Sequence, residues 1–370
     1  MQRTINRIII VSISVFLLYS GPIMAKRSRP LVWDMRYLES LKNEKKTSTI
    51  AQDIIDAADQ ICMADPVSVI AKQKTFAPNS HYYCSVGPYW WPDSSQNGIY
   101  IRKDGYINPE SESYDLAKLT ELAKRCRILS QAFFISENKK YKEAFVCQLK
   151  VWFINENTIM YPNFEYAQVI PGQNNNKGRG TGLIEAYDFN TIIESIRLVD
   201  STKRIRKSTL KALKIWFESF ADWCENNYGI DLSKENNNIS LSYDVTMVNM
   251  YLFADNNQKA RKIADNFAER RIHIQIREDG SQPAELVRTQ AFTYSISNLK
   301  HILDFCYLAK SWDSNYYNKN GELVNKAFDY LNKYIDNPDE FPYQQLTSWE
   351  NCRKALKSQL LRREALLLSK

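Results

Sequence analysis

The sequence predicts an all-α protein, an incomplete α/α toroid of helical hairpins whose long loops form a substrate cleft. Three observations carry this expectation. Apolar residues recur at three- and four-residue steps along most of the chain. Alternating, strand-like runs are nearly absent. The helical stretches are separated by polar loops at 77–113, 155–190, 226–244 and 277–295, and no linker or composition break divides the 370 residues. In a toroid of this kind the loops at one end build the site.

The elements follow in order. Arg3 and Arg7 precede an apolar core at 8–19 and a small residue, Ala25. This is the pattern of a secretory signal peptide, so residues 1–25 are expected to be removed and 26–370 to form one domain. The apolar core is short for a membrane span. No span is expected after cleavage, and the expected location is periplasmic or secreted. Next comes HYYCSVGPYWWPD at 81–93, too rich in aromatic, Pro and Gly residues for a regular element. Tyr89, Trp90 and Trp91 are candidates for stacking on sugar faces, and the alternative is a structural corner with the rings packed inward. A short hairpin is expected around Asp104-Gly105.

Helical stripes follow. Leu119, Ala123, Cys126 and Leu129 form one, and Leu213, Trp216, Phe217 and Phe220 another. The pattern continues through 298–310, 322–335 and 346–368. Between stripes lie MYPNFEYAQVIPG at 160–172, KGRGTGLIE at 177–185 and NNNISLSYD at 236–244. Gly178, Gly180 and Gly182 give the backbone freedom around Arg179. They form neither a phosphate loop nor a dinucleotide fingerprint.

Bulk properties exclude several classes. Forty-nine basic against forty-two acidic residues leave +7, a mild bias that is no nucleic-acid signature. The seven cysteines are widely spaced, without C-x-x-C or a zinc pattern. Cys126, Cys147, Cys224 and Cys306 read as buried thiols. No metal site and no cofactor are expected.

Arg288 and Tyr294 suit one reaction, β-elimination from a uronate. A guanidinium neutralises the carboxylate beside C5 and stabilises the enolate-like charge, and a tyrosine can move protons at C5 or at the leaving oxygen. Hydrolysis would need two opposed carboxylates. Glu165, Glu185, Asp188 and Asp244 are available, but no convincing pair emerges from sequence.

Together and in this order, the clusters resemble the alginate lyase family of polysaccharide lyases, which are α/α toroids. GPYWWPD at 87–93 with YIRKDGYINPE at 100–110 is similar to its first signature. MYPNFEYAQVIPG with GRGTGLIE is similar to the second, and EDGSQPAELVRTQAFTYSISNL at 278–299 to the last. The resemblance spans about 77–311 and implies cleavage of an anionic uronate polysaccharide, alginate or a glucuronan-like polymer. It implies that Arg288 lies near the substrate carboxylate and that Tyr294 is the catalytic tyrosine. Asn237 and Asn238 match the Asn-Asn of an Asn-Asn-His stretch. Tyr166, Gln168, Arg179 and Tyr243 join Tyr89, Trp90 and Trp91 as substrate-binding residues.

The chain departs from the family where Ile239 takes the His position. His81, beside the aromatic loop, is the stand-in, while His273 and His301 read as structural. Without the family His, Tyr294 would act as both base and acid, with Arg288 easing its ionisation. Two alternatives stand beside the lyase reading: a carbohydrate-binding pseudoenzyme, and a glycoside hydrolase on the same toroid.

Overall fold

The computed structural model describes residues 29–368 except 97, 204, 230, 231 and 233. The expected signal segment, 1–25, lies outside the described residues. The elements are α1 (Met35–Asn43), α2 (Thr49–Met63), β1 (Cys84–Val86), β2 (Trp90–Asp93), β3 (Ile99–Arg102), α3 (Asp115–Ser136), α4 (Lys139–Phe153) and β4 (Tyr166–Val169). A 3₁₀ segment (Gly180–Tyr187) then leads into α5 (Asp188–Thr202), followed by α6 (Lys207–Cys224), α7 (Asn238–Phe253) and α8 (Asn257–Ala264). The last long helices are α9 (Ala291–Ala309), α10 (Glu322–Ile335) and α11 (Trp349–Leu367). Ser48, Asn138 and Asn237 cap α2, α4 and α7 with side-chain oxygens on free N–H groups, which fixes where those helices start.

The helices form an arc of hairpins. On the inside, α3 packs on α5, α5 on α7 and α7 on α9. Outside them, α2 and α4 cover α3, α6 and α8 cover α7, and α10 and α11 cover α9. The expected toroid is the observed architecture.

An inner helix is buried on all sides, so its polar residues must find partners inside the protein. Helix α7 meets this along its length. Asn249 donates to Asn190 at 2.9 Å, and Asn190 donates to Thr246 at 2.9 Å. Arg197 donates to Asn249 at 2.6 Å. Asp244 accepts from Arg270 at 3.0 Å and from Arg271 at 2.8 Å.

The apolar stripes meet in an aromatic cluster. Phe189 of α5 lies 5.4 Å from Trp216 and 5.2 Å from Phe220, both on α6, and 6.1 Å from Phe153 of α4. Phe164, in the second sequence cluster, packs 4.9 Å from Phe220. The Trp216 indole donates to the Met160 carbonyl at 2.8 Å. The core thus holds down the loop that leads to β4.

Two local expectations need correction. The hairpin is β2–β3, pairing Trp90 with Arg102 and Asp93 with Ile99, and its turn is at 94–98. Asp104-Gly105 forms a separate turn after β3, with Tyr106 N–H on the Lys103 carbonyl. A 3₁₀ turn at Ser94–Gln96 follows β2, and the Asp-Gly pair falls after β3, where Asp104 meets Arg288. All seven cysteines are free, and Cys147 is exposed rather than buried because it falls on the outer face of α4.

Phe189→Ala is expected to cost about 3–5 kcal/mol, because the cluster around it cannot collapse into the space. Denaturant unfolding that put the loss below about 1 kcal/mol would contradict the central role given to this ring.

Candidate active site

The four long loops meet at one end of the arc and enclose a cleft of about 650 Å³. Each loop delivers side chains: Tyr89 and Arg102 from the first, Gln168, Arg179 and Glu185 from the second, Asn237 and Asn238 from the third, Arg288 and Tyr294 from the fourth.

The first wall is built on a bulge. β1 runs parallel to β4, with Cys84 opposite Tyr166 and Val86 opposite Val169, so β4 carries one extra residue. Gln168 sits in that bulge at φ 51°, a conformation that costs a side-chain-bearing residue roughly 1–3 kcal/mol. The strain is held by Ser85 Oγ, which accepts from Gln168 N–H at 2.7 Å. It aims the Gln168 amide into the cleft, where its oxygen accepts from Arg179 at 2.7 Å. The Arg179 guanidinium also lies 5.8 Å from the Trp90 ring.

The glycines around Arg179 serve a purpose other than φ freedom, since none of Gly178, Gly180 and Gly182 has positive φ. A Cβ on Gly178 would lie 2.5 Å, and one on Gly182 2.6 Å, from the Ala167 carbonyl oxygen. The segment lies flat on β4, with Gly178 N–H on the Glu165 carbonyl and Arg179 N–H on the Ala167 carbonyl. Only residues without a side chain allow that approach.

Below this wall is Glu185, only 5% exposed. Its Oε2 accepts from Ser85 at 2.6 Å and from Tyr83 at 2.8 Å, while Oε1 has no partner. Burial pushes its carboxyl up to about 7 against the pull of these donors and of Arg179.

The opposite wall joins the first loop to the last. Asp104 receives Nε and Nη2 of Arg288 at 3.1 and 2.8 Å, and the Thr289 hydroxyl at 3.1 Å. Burial alone would raise the Asp104 carboxyl, but Arg288 and Thr289 hold it well below the usual range. Gly105, at φ +78°, lets the turn press against Thr289, because a Cβ there would lie 2.5 Å from the Thr289 hydroxyl. Arg288 precedes α9 and the chain bends between it and Tyr294. This bend brings two residues six apart together, with the guanidinium 4.2 Å from the Tyr294 ring centroid. The Tyr294 and Tyr89 hydroxyls share a 2.8 Å hydrogen bond. Burial first, then Tyr89, push Tyr294 well above the ordinary phenol range, and Arg288 offsets this only in part. The resting Tyr294 is therefore protonated: Arg288 favours its ionisation, the direction expected of it, but burial and Tyr89 outweigh that pull.

At the back, Asn237 caps α7 by accepting from Ile239 N–H at 2.9 Å. Buried Glu285 receives both the backbone N–H and the side-chain amide of Asn238, at 2.7 and 2.6 Å. Ile239, Ser297 and His301 complete this side.

The structure brings together Tyr294, Arg288, Asn237, Asn238, Tyr89, Gln168 and Arg179, but leaves other expected residues off the cleft lining. His81 gives Nδ1 to the Ile159 carbonyl at 2.7 Å and stacks on Tyr161, so it is a strut and not a stand-in for the missing His. Trp90 backs Arg179 rather than lining the cleft. Trp91 donates to the Tyr106 carbonyl at 2.9 Å. Tyr166 packs edge-on against Tyr82, and Tyr243 is buried in the core. Of the two histidines read as structural, His273 is exposed and His301 lines the cleft. Asp104, Glu285 and His301 were not among the expected site residues, and Glu185 was weighed only as a hydrolase carboxylate. Only His301 left a usable signal, a spacing of seven from Tyr294 that places both on one helix face.

Among the four hydrolase carboxylates, Glu165 pairs with Lys177 and Asp244 with Arg270 and Arg271. Glu185 and Asp188 reach the cleft from one segment, so they do not flank it. Among the described residues no group of His, Cys, Asp and Glu converges to hold a metal ion, and no helix is long and apolar enough to cross a membrane.

The sequence profile of the alginate lyase family matches residues 68–341. The chain belongs to the alginate lyase family. It is accordingly a polysaccharide lyase. A crystal structure of an alginate lyase from Bacteroides ovatus is 32% identical and superposes with a TM-score of 0.85, covering 92% of this chain and 94% of that one. Alginate lyase A1-III from Sphingomonas species A1 shares the fold at 15% identity and a TM-score of 0.55, over 87% of this chain and 83% of its own. A variant of A1-III complexed with a tetrasaccharide superposes at 0.57, with 15% identity over 88% and 84% of the two chains. No curated protein sequence matches the chain.

Glu185 makes stability depend on pH. Its folded value of about 7 lies above the ordinary 4.5, so folding favours the protonated form. Its contribution is complete at low pH and is lost as pH rises from about 4.5 through 7, by up to about 3 kcal/mol. Glu185→Gln should remove that fall. Unfolding free energies measured near pH 5 and near pH 8 should differ more for the wild type than for the variant. Equal differences would contradict the assignment.

Proposed function

We propose that this chain cleaves a uronate polysaccharide, alginate or a glucuronan-like polymer, by β-elimination. The observation that carries the reading is the Arg288–Tyr294–Tyr89 assembly on one wall of the cleft. β-Elimination begins with a weakly acidic C5 proton. Its loss places charge on the adjoining carboxylate, so the first requirement is a fixed cation at that carboxylate. Arg288 meets it. Asp104 takes two of its nitrogens and fixes the guanidinium plane, and the remaining terminal nitrogen is the donor to the substrate. Asn238, held by Glu285, adds a neutral donor beside it.

The second requirement is a proton for the leaving O4. Tyr294, protonated at rest and hydrogen-bonded to Tyr89, is suited to give one. For a sugar that presents C5–H and O4 on one face, the same tyrosine serves both steps once its own proton has left. Arg179, backed by Trp90 and Gln168, is a second cation for a neighbouring uronate of the polymer. The signal-like segment at 1–25 supports a periplasmic or secreted place of action.

The test is ultraviolet detection of unsaturated uronate from mannuronate blocks, guluronate blocks and glucuronan. Growth of absorbance on at least one polymer, reduced by about 10²–10⁴ in Tyr294→Phe, is the expected result. Arg179→Ala should raise KM more than it lowers kcat, since it acts on binding. A flat trace on every polymer beside saturable binding would overturn the lyase reading in favour of a binding protein.

A further inference from the structure

Three arginines reach the cleft: Arg102, Arg179 and Arg288. Two of them share one carboxylate, since Asp104 pairs with Arg288 at 2.8 Å and with Arg102 at 2.7 Å. Arg179 makes no ion pair among the described residues. Its polar contact is the neutral Gln168 amide at 2.7 Å, and its Nε is buried without a partner. A guanidinium kept clear of protein carboxylates is left to bind one from the ligand.

One carboxyl group lies close enough to compete for it. Glu185 sits below this wall and lines the same cleft. Three hydrogen bonds connect it to Arg179. Ser85 Oγ donates to Glu185 Oε2 at 2.6 Å and accepts from Gln168 N–H at 2.7 Å, and the Gln168 side-chain oxygen accepts from Arg179.

The surroundings of Glu185 suit a neutral acid. It makes no ion pair among the described residues. Ser85 and Tyr83 both donate to Oε2, while Oε1 is buried and bare. A charged carboxylate is costly in such a place. A protonated carboxyl puts its hydrogen on the bare oxygen and keeps the other as acceptor. Burial accordingly holds this group up at about 7, against the pull of its donors and of Arg179.

The charged groups on the elements around Glu185 are engaged elsewhere. Asp115 of α3 pairs with Lys72 at 3.1 Å. Asp188, at the start of α5, accepts from the Thr120 hydroxyl at 2.7 Å. Tyr187, next to it on the chain, is tied to Asp304 and Lys300 of α9. Arg102 of β3 is held by Asp104. Helix α7 packs on the 180–187 segment and offers Asn238 and Ser242 to the cleft, neither of which titrates. Among the described residues this leaves Arg179 as the cation that a charge on Glu185 would draw in.

We infer that Glu185 is a positioning residue: while protonated it leaves Arg179 to a carboxylate of the bound polymer, and once ionised it takes the guanidinium for itself. Glu185 does not touch the sugar. It acts through Arg179, so it governs binding and not the chemistry at C5. The inference rests on the lyase reading above, which gives Arg179 to a neighbouring uronate, and adds control of that subsite by pH.

The direction follows from linkage. Polymer binding and ionisation of Glu185 compete for one guanidinium. Affinity is therefore full where Glu185 is protonated and falls as pH rises through about 7. By the same reciprocity, polymer that binds near this pH draws a proton onto Glu185. Burial also pushes Lys300 down to about 7. Substitutions, rather than the wild-type profile, therefore assign the effect.

The experiment uses Tyr294→Phe, which holds the polymer uncleaved. Mannuronate blocks, guluronate blocks and glucuronan are titrated into it by calorimetry, in buffers of different ionisation enthalpy, from about pH 5.5 to about pH 8.5. On a polymer that binds, Kd should rise about fivefold or more across this range, with protons taken up near neutrality. Adding Glu185→Gln should flatten Kd at its acid-end value and abolish the uptake. Adding Arg179→Ala instead should weaken binding at every pH and also abolish the uptake, and Glu185→Gln on top of it should change nothing further. In the cleaving enzyme, Glu185→Gln should lower KM at about pH 8.5 with kcat within about twofold. A merely structural Glu185 predicts weaker binding at every pH and unchanged uptake. A Kd that does not vary with pH, or an uptake that survives Glu185→Gln, overturns the inference and leaves the lyase intact. If Glu185→Gln does not fold, the Arg179→Ala arm decides, and uptake that persists there overturns the inference. A wild type that cleaves none of the three polymers removes the lyase reading, while the binding profile still decides for or against Glu185. Failure of all three to bind overturns both.

Discussion

The Asp104–Arg288 ion pair is the constraint on which the site depends. It joins the turn after β3 to the bend before α9, nearly two hundred residues apart in sequence, and so clamps the first loop to the last. A bidentate pair defines a plane as well as a distance. That plane sets the guanidinium against the Tyr294 ring, and Tyr294 in turn holds Tyr89. The pair is half-buried, so its worth is better judged as positioning than as stability. Gly105 belongs to the same device, since any side chain there would strike Thr289 and lift Asp104 away.

The opposite wall obeys a different constraint, the close approach of backbone to backbone. Gly178 and Gly182 lie on Ala167, and the bulge that places Ala167 also strains Gln168. The strain is maintained by Ser85, and Ser85 also donates to Glu185. Arg179, Gln168, Ser85 and Glu185 are thus one unit, and the aromatic core beneath holds its loop through Met160. Rigid helices carry the walls and irregular backbone carries the chemistry, the usual division in helical toroids.

Burial sets the protonation states across the cleft. Tyr294 keeps its proton, Glu185 titrates near neutrality and His301 stays neutral, each mainly through desolvation. The groups that must remain charged, Arg288 and Asp104, are the ones that are paired.

Much of the fold was legible in the sequence, because helical periodicity reports a face that must be buried whatever it packs against. The stripes at 298–310 and 322–335 lie in α9 and α10, and the four polar loops do line one cleft. The aromatic run at 81–93 was less legible. Composition marks it as irregular but cannot tell a ring facing sugar from one packed behind an arginine, and Trp90 and Trp91 stay half-exposed without lining the cleft. His81 was misplaced for a related reason, since nearness in sequence to an aromatic loop says nothing of which carbonyl holds the ring. The sequence by itself determined the helical class, the loops that carry chemistry, and the Arg288, Tyr294 and Asn238 trio through family pattern. Only the tertiary structure decided that Asp104 clamps Arg288, that Glu285 holds Asn238, and that His301 shares their cleft. Those pairings join residues distant in the chain, and their strength comes from desolvation that exists only once the arc has closed.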